Sequence, residues 1–101
     1  MFIALYHWKI KEGREAEFRE GWRRRTMEIR EKCGGWGSRL HRAEDGTWFG
    51  YAQWKDKETW AAERPVFDAE ATAMFRDSVE MSFPDVYMDV VDDLLLHKFE
   101  D

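Results

Sequence analysis

The chain is poor in several residue types, and each shortage narrows what the protein can be. Its 101 residues include one cysteine, Cys33, two prolines and no asparagine. A single thiol forms neither an internal disulfide nor a cysteine-rich metal site, which is typical of a reducing compartment. Because Cys33 ends an apolar helical pattern, we interpret it as a buried structural thiol rather than a nucleophile.

The sequence also lacks the features of membrane and nucleic-acid proteins. No apolar stretch approaches the roughly 20 residues of a membrane span, and the N-terminus has no basic segment followed by an apolar one. The net charge is −5, and acidic and basic residues are mixed, so no concentrated basic face is available for a phosphate backbone. We expect no nucleic-acid or membrane partner. Since Met1 leads directly into a strand, we expect a cytoplasmic protein.

What remains is the composition of one globular domain. Hydrophobic residues make up 44% of the chain and charged residues 37%, which is enough to form a core with a well-solvated exterior. The length predicts a single domain over residues 1–101. The one basic run, Arg23 to Arg25, is interpreted as a solvated helix face that forms ion pairs with neighbouring glutamates.

Apolar periodicity divides the chain into strands and helices. In order, the predicted elements are a strand at 2–10, a helix at 14–32, strands at 36–42 and 47–54, a short helix ending at Glu63 and capped by Asp56, a helix at 68–79 and a strand at 86–96. This β-α-β-β-α-α-β order predicts an α+β domain of the ferredoxin-like, split β-α-β type. Its antiparallel sheet carries the helices on one face.

The other face of that sheet is the argument for a partner. In the first strand, Phe2, Ala4, Tyr6 and Trp8 alternate with Ile3 and Leu5, so both faces are apolar. Helices on one side would leave a large apolar surface in water, which soluble monomers rarely tolerate. We therefore expect a homodimer in which a second copy covers the uncovered face.

The segment from Gly37 to Trp60 has the highest density of chemically useful side chains. A polar strand that carries Arg39 and His41 is followed by a turn and by an aromatic strand that leads into a helix. Such a hairpin can build an aromatic-walled hollow beside hydrogen-bonding groups. A hollow of this kind suits a small flat ligand.

Several pieces of the sequence resemble the antibiotic biosynthesis monooxygenase family. They are Trp8 to Gly13, Phe18 and Trp22, Gly37 to Arg42, Tyr51 to Trp54, and Trp60. The resemblance covers nearly the whole chain and implies a dimeric α/β barrel, with one ligand pocket per subunit between the sheet and its helices. The family's known activities are cofactor-independent oxygenation of polycyclic phenols or small quinols and haem degradation, and some members have no known activity. Fold alone therefore does not select among them.

The resemblance also suggests where the chemistry would lie. Oxygenation without a cofactor needs a pocket that binds an electron-rich phenol, stabilises its anion and excludes water. Histidine or arginine can hold or remove the phenolic proton, and tryptophan and tyrosine supply apolar walls with a donor at the tip. The predicted catalytic residues are His41, Tyr51 and Arg39. The predicted substrate-binding residues are Tyr6, Trp54, Trp60 and Trp8, and no metal or cofactor is expected.

Haem degradation is the less favoured activity. Haem-degrading members use an asparagine on the first strand and a helix histidine as axial ligand. Tyr6 falls roughly where that asparagine would lie, and the three histidines are His7, His41 and His97, none of which lies in the predicted helices after the hairpin. The lack of asparagine also removes a residue on which some phenol-oxidising members rely.

Each candidate also has a purely structural interpretation. His41 can be a surface or interface histidine, and Arg39 and Arg42 can pair with Glu44 or Asp45 across the hairpin. Two functions therefore stay open. One is a small monooxygenase for an aromatic or quinol-like substrate, and the other is a non-catalytic dimer that binds a small ligand or accompanies a larger pathway.

Other aromatic and acidic residues have structural interpretations of the same kind. Trp48 and Trp54 can belong to the core or to the dimer seam. His7, opposite Tyr6 in the strand alternation, is expected in the barrel interior. The aspartates near the C-terminus are interpreted as a solvated edge rather than a calcium site.

Overall fold

A computed structural model of the chain describes residues 1–96; His97 therefore lies outside the described residues. The elements are β1 Phe2–Ile10, α1 Glu15–Lys32, β2 Gly35–Arg42, β3 Trp48–Trp54, α2 Lys57–Ala61, α3 Ala69–Ser78, β4 Val79–Ser82 and β5 Val86–Asp89. The α+β class and the antiparallel sheet are confirmed. The first six predicted elements lie within two residues of their observed bounds.

β1 is the central strand of the sheet. The strand order is β2-β3-β1-β4, and β5 pairs with the start of β1 on the same side as β4. All pairings are antiparallel. In the β1–β3 pair, Tyr6 lies opposite Gly50 and Trp8 opposite Trp48. This register decides which side chains share a face.

The predicted last strand, 86–96, is wrong in its extent. β5 ends at Asp89, and the chain forms an additional short strand, β4, directly after α3. The reason for the early end is the length of the neighbouring strand. Val90 N–H donates to the carbonyl of Met1 at 3.0 Å, one residue before β1 begins at Phe2.

The three helices described in residues 1–96 cover one face of the sheet. Phe18 of α1 is fully buried, with its ring centroid 5.4 Å from that of Trp8 and 5.3 Å from that of Phe75 on α3. The crossing of α1 and α3 depends on Gly21. A β-carbon there would lie 2.6 Å from the backbone nitrogen of Phe75, so the helices approach backbone to backbone.

The arginine run forms ion pairs, as the sequence predicts. Arg23 pairs with Glu20 at 2.8 Å, and Arg25 pairs with Glu28. Arg24 reaches beyond its own helix, because its guanidinium donates to both carboxylate oxygens of Asp68 before α3. The Arg24 contact ties α1 to the α2–α3 connection.

Glu28 is a buried carboxylate that fixes this connection. It is 7% exposed and accepts hydrogen bonds from Arg25, from Phe67 N–H at 2.7 Å and from Asp68 N–H at 2.6 Å. Burial acts to raise the pKa of Glu28, but the hydrogen bonds from Arg25 and from the two backbone N–H groups outweigh it. The pKa of Glu28 is therefore lowered.

Replacing Glu28 with glutamine should destabilise the protein in a pH-dependent way. Hydrogen bonds to a charged group contribute about 1.5–3 kcal/mol, so we expect a loss of that size at neutral pH. Because the folded-state pKa lies below the unfolded one, this contribution exists above the unfolded-state pKa. It disappears as the pH falls through the folded-state value.

Urea unfolding of Glu28→Gln and the wild type, from neutral to acidic pH, checks this expectation. Glu31→Gln, at an exposed position of the same helix, is the matched control and should change stability little. A stability difference for Glu28→Gln that stays constant into acid would contradict the charged role.

Candidate functional site

The predicted site residues fall on opposite faces of the sheet. Arg39 pairs directly with Tyr51 across β2 and β3, and His41 lies two residues along the same face. These three predicted catalytic residues are on the helix-free face. The predicted substrate-binding residues Tyr6, Trp8, Trp54 and Trp60 are on the helix side, where they contact one another and the core. The structure thus does not bring the two sets together.

On the helix side, aromatic rings pack around Trp60 of α2. We name this group the helix-side aromatic cluster, and its members are Phe2, Tyr6, Trp54, Trp60 and Tyr87. The indole N–H of Trp60 donates to the hydroxyl oxygen of Tyr6 at 3.1 Å. The Trp60 ring centroid lies 5.4 Å from that of Phe2 and 4.7 Å from that of Tyr87. Trp60 is therefore packed against rings of β1 and β5.

Arg64 places a positive charge on this cluster. Its guanidinium carbon lies 5.1 Å from the ring centroid of Trp54 and 5.8 Å from that of Trp60, and it donates to the Trp60 carbonyl. Arg25 fixes the chain here by donating to the carbonyl oxygens of Pro65 and Arg64. Arg64 is not among the residues predicted from the sequence, although its position four residues after Trp60, just beyond α2, is a readable signal.

Tyr87 is a second residue that the sequence did not reveal. It lies opposite Ala4 in the β1–β5 register, which turns its ring toward Phe2 at a centroid distance of 6.0 Å. Its hydroxyl donates to Asp85 Oδ2 at 3.0 Å. Burial and the neighbouring Asp85 carboxylate raise the pKa of Tyr87. No residue pattern in the chain specifies this register, so Tyr87 could not be placed in advance.

Trp54 borders a small, partly open void. The residue is 3% exposed, and its indole nitrogen is buried without a hydrogen-bond partner among the described residues. The void has a volume of about 30 Å³ and is also lined by Gly35, Ser38 and Ala52. A space of this size holds roughly one or two water molecules. Trp54 and Trp48 (7% exposed) both lie in the core, as their structural interpretation predicts.

The three predicted catalytic residues line a much larger, open depression of about 1220 Å³. Gln53, Trp36 and residues of α1, among them Trp22 and Arg30, complete its wall. The depression shares Arg30, Ser38 and Gln53 with the void beside Trp54, so the two spaces adjoin. Its charged lining combines basic Arg23, Arg30 and Arg39 with acidic Asp89, Asp92 and Asp93.

A bulge in β2 shapes the rim of the depression. Gly35 pairs with Trp54 and Ser38 with Ala52, so two residues of β2, Trp36 and Gly37, oppose one residue of β3. Gly37 has a φ of 101°, which glycine adopts without strain. The sequence pattern places Trp36 only in a strand, because strand alternation does not reveal a bulge.

His7 has its own hydrogen-bond chain on the helix-free face. Its Nε2 lies 2.8 Å from Thr47 Oγ1, and that hydroxyl donates to Asp45 at 2.6 Å. Since the single hydroxyl proton goes to Asp45, Nε2 must carry a proton and donate to Thr47. The ring is stacked between Phe49 and Phe83, at centroid distances of 3.9 and 4.3 Å. These contacts give His7 a packing role in the monomer.

Residues 1–96 contain neither a cluster of metal-binding side chains nor a membrane-spanning helix. No group of three or more histidine, cysteine, aspartate or glutamate side chains in this range is placed to hold a metal ion. No helix in this part of the chain is both long and apolar enough to cross a membrane.

The family assignment follows from comparison with known proteins. The sequence model of the antibiotic biosynthesis monooxygenase family matches residues 1–64, which is more than half of the 101 residues. The chain belongs to the antibiotic biosynthesis monooxygenase family. The resemblance found in the sequence is thereby confirmed. A comparison with curated protein sequences finds no significant match.

Solved structures support the fold of this antibiotic biosynthesis monooxygenase domain. SnoaB from Streptomyces nogalater, a cofactor-independent oxygenase, aligns with a TM-score of 0.74 at 18% identity, covering 92% of this chain and 95% of SnoaB. A mutant of SnoaB gives 0.73 at 21%, with 92% and 95% covered. Rv0793 from Mycobacterium tuberculosis gives 0.70 at 9%, with 93% and 98% covered. At these identities the likeness establishes the fold.

The hydrogen bond between Trp60 and Tyr6 should contribute measurably to the free energy of unfolding of this protein. Tyr6→Phe keeps the ring but removes the oxygen that accepts the Trp60 indole N–H. A hydrogen bond of this kind contributes about 0.5–1.5 kcal/mol, so the free energy of unfolding should fall by about that amount.

Urea denaturation provides the measurement, with Tyr51→Phe as the matched control. Tyr51 lies on the helix-free face and lines the open depression, so loss of its hydroxyl should leave stability nearly unchanged. Equal losses in the two variants would show that the Tyr6 hydroxyl has no special stabilising contact.

Proposed function

We propose that this protein is a cofactor-independent monooxygenase that acts on a small aromatic or quinol-like substrate. One observation carries the proposal: Arg39, His41 and Tyr51 line the same large depression from adjacent strands. Membership of the antibiotic biosynthesis monooxygenase family and the fold shared with SnoaB, a cofactor-independent oxygenase, support it.

The depression supplies the groups that such a reaction needs. In the proposed reaction His41 accepts the phenolic proton of the substrate, and the Arg39 guanidinium stabilises the resulting phenolate. The electron-rich ring then reacts with O₂. One oxygen atom forms a new C–O bond, the O–O bond breaks, and the other oxygen leaves as water, so a phenol and O₂ yield a quinone and water. The Tyr51 hydroxyl donates a hydrogen bond that stabilises negative charge on the reacting oxygen.

The predicted substrate-binding residues receive different positions in this scheme. Trp54 borders the void that adjoins the depression, so we assign it the inner wall. Trp60, Tyr6 and Trp8 pack behind that wall and hold it in place. Trp22 and Trp36 supply the apolar surface against which a flat ring would lie.

A second copy of the chain would complete the site as a homodimer. Apolar side chains on β5 remain exposed on the helix-free face, with Val86 at 48% and Met88 at 39%. The segment after β5 exposes Val91, Leu94 and Leu96 at 87–97%. A partner sheet over this face would bury such surface and keep water from the reacting substrate.

One observation favours a non-catalytic alternative. The helix-side aromatic cluster is occupied by its own side chains, and the void beside Trp54 is only about 30 Å³. A non-catalytic dimer that binds a small ligand in the open depression, or that accompanies a larger pathway, needs no enclosed cavity beside Trp54. Haem degradation is the least favoured activity, since α2 and α3 contain no histidine. Haem added to the protein should accordingly produce no Soret shift.

The enzyme proposal predicts that His41→Ala loses activity while remaining folded. A general base contributes about 10²- to 10⁴-fold to the rate, and we expect a loss in that range. Oxygen consumption with a panel of phenols and quinols measures it, and circular dichroism checks the fold. Arg42→Ala is the matched control, because Arg42 is the next residue of β2 and lies over Trp48 on the opposite face.

The two functions give different results in this experiment. Oxygen uptake by the wild type and by Arg42→Ala, but not by His41→Ala, supports the enzyme. No uptake with any phenol or quinol, together with ligand-dependent tryptophan fluorescence, supports the binding protein. Full activity in His41→Ala would refute the assigned base.

The homodimer is tested by sedimentation at micromolar concentration. We expect a species of about twice the 12.2 kDa chain mass. Met88→Glu on the helix-free face should dissociate it, because a charge would be buried against the partner. Val66→Glu, at a 48% exposed position before α3, is the control and should leave the dimer intact. A wild-type protein that sediments as a single 12.2 kDa species would rule the dimer out.

A further inference from the structure

A connected set of oxidisable rings runs from the core to the surface on the helix side. Trp54 and Trp60 contact the same Arg64 guanidinium, and the Trp60 indole N–H donates to Tyr6. Tyr6 stacks on Trp8 at a centroid distance of 5.9 Å. This contact connects the set to the core around Phe18. Trp60 also contacts Tyr87 at 4.7 Å. Indole and phenol rings are the side chains that give up a single electron most readily apart from thiols.

Exposure and charge both change along this set in the same direction. Trp54 is 3% exposed and lies beneath the positive charge of Arg64. Tyr87 is 45% exposed and donates to the Asp85 carboxylate, whose effect on Tyr87 exceeds that of Arg64. A nearby cation disfavours the positive charge of an oxidised indole, and a nearby carboxylate favours removal of an electron and a proton from a phenol. Both differences favour oxidation of Tyr87 over oxidation of Trp54.

We propose that the helix-side aromatic cluster is a one-electron relay that moves an oxidising equivalent from the core tryptophans to Tyr87, where Asp85 accepts the proton. The relay does not depend on the monooxygenase proposal, because any one-electron oxidant that reaches the core can start it. It would protect the buried tryptophans, since oxidation of an indole in the core would disrupt packing. A soluble reductant can reach Tyr87 at the surface.

The relay consists of two electron transfers and one proton transfer. An organic peroxyl radical removes an electron from an indole, either Trp54 or Trp60, and is itself reduced to the peroxide anion; the oxidised photosensitiser of the experiment below takes its place in the test. Tyr87 then supplies an electron to the indole radical cation, and its hydroxyl proton moves along the existing 3.0 Å hydrogen bond to Asp85 Oδ2. The products are a restored tryptophan, a neutral tyrosyl radical and a protonated carboxylate. The raised pKa of Tyr87 means that the phenol is protonated at neutral pH, so a proton acceptor is needed.

The chain offers a site for starting this reaction at the inner end. Cys33 is the only cysteine and is half-buried. It lies two residues before Gly35, where a β-carbon would be 3.5 Å from the Trp54 ring. A ruthenium polypyridyl photosensitiser coupled to Cys33 and oxidised by flash and quencher would remove an electron close to Trp54. Transient absorption and electron paramagnetic resonance then distinguish tryptophan from tyrosyl radicals.

The relay predicts a specific pattern among labelled variants. The wild type and Tyr51→Phe should yield a tyrosyl radical, whereas Tyr87→Phe should lose most of it and keep a longer-lived tryptophan radical. Asp85→Asn, an exposed change that retains the fold, should slow tyrosyl formation. Trp60→Phe should lower the tyrosyl yield at Tyr87, with circular dichroism confirming that the variant is folded.

Three results would overturn the relay. A tyrosyl yield in Tyr87→Phe equal to that of the wild type would place the radical elsewhere. An unchanged yield in folded Trp60→Phe would mean that the oxidant reaches Tyr87 without the tryptophan. An unchanged rate in Asp85→Asn would remove the proton acceptor, and this test stands even if Trp60→Phe does not fold.

Discussion

The pairing of β1 with β3 is the constraint on which the rest of the structure depends. With Tyr6 opposite Gly50, Trp8, Trp48 and Trp54 point toward the helices. Arg39, His41 and Tyr51 point the other way. A shift of one residue would exchange the two faces. The indole of Trp8 passes over Gly50, where a β-carbon would lie 2.7 Å from the ring, so the register is also fixed by shape. Both the packed core and the open depression follow from this single alignment.

The two faces of the sheet perform different tasks as a result. On the helix side, Arg25 and Glu28 fix the α2–α3 connection, and that connection holds Arg64 over two tryptophans. The interior is therefore stabilised by charge as well as by apolar contact. On the other side, Arg39, His41 and Tyr51 line an open depression that is bordered by α1 and by the segment after β5. The proposed ligand chemistry takes place in this depression.

Local pattern predicted most of the fold, and long-range pairing accounts for what it missed. The hairpin of β2 and β3, the Asp56 cap and the split β-α-β order all follow from turn residues and periodicity near each element. β4 and the early end of β5 depend on where β1 starts and stops, which no local pattern records. The same limit applies to the candidate site. Residue types in the hairpin identified useful side chains, but their division between two faces required the register, and Arg64 and Tyr87 required the tertiary contacts.

Because position 50 is a glycine, the space above β3 can be either filled or left open to a ligand. The volume above Gly50 is filled by the protein's own Trp8 ring, which acts as an internal plug held by strand geometry. Exchanging that ring for a small side chain would open a hollow at the centre of the helix side without moving a strand or a helix. A single substitution at Trp8 could therefore create an interior cavity in this fold, with no change in the order of its strands and helices.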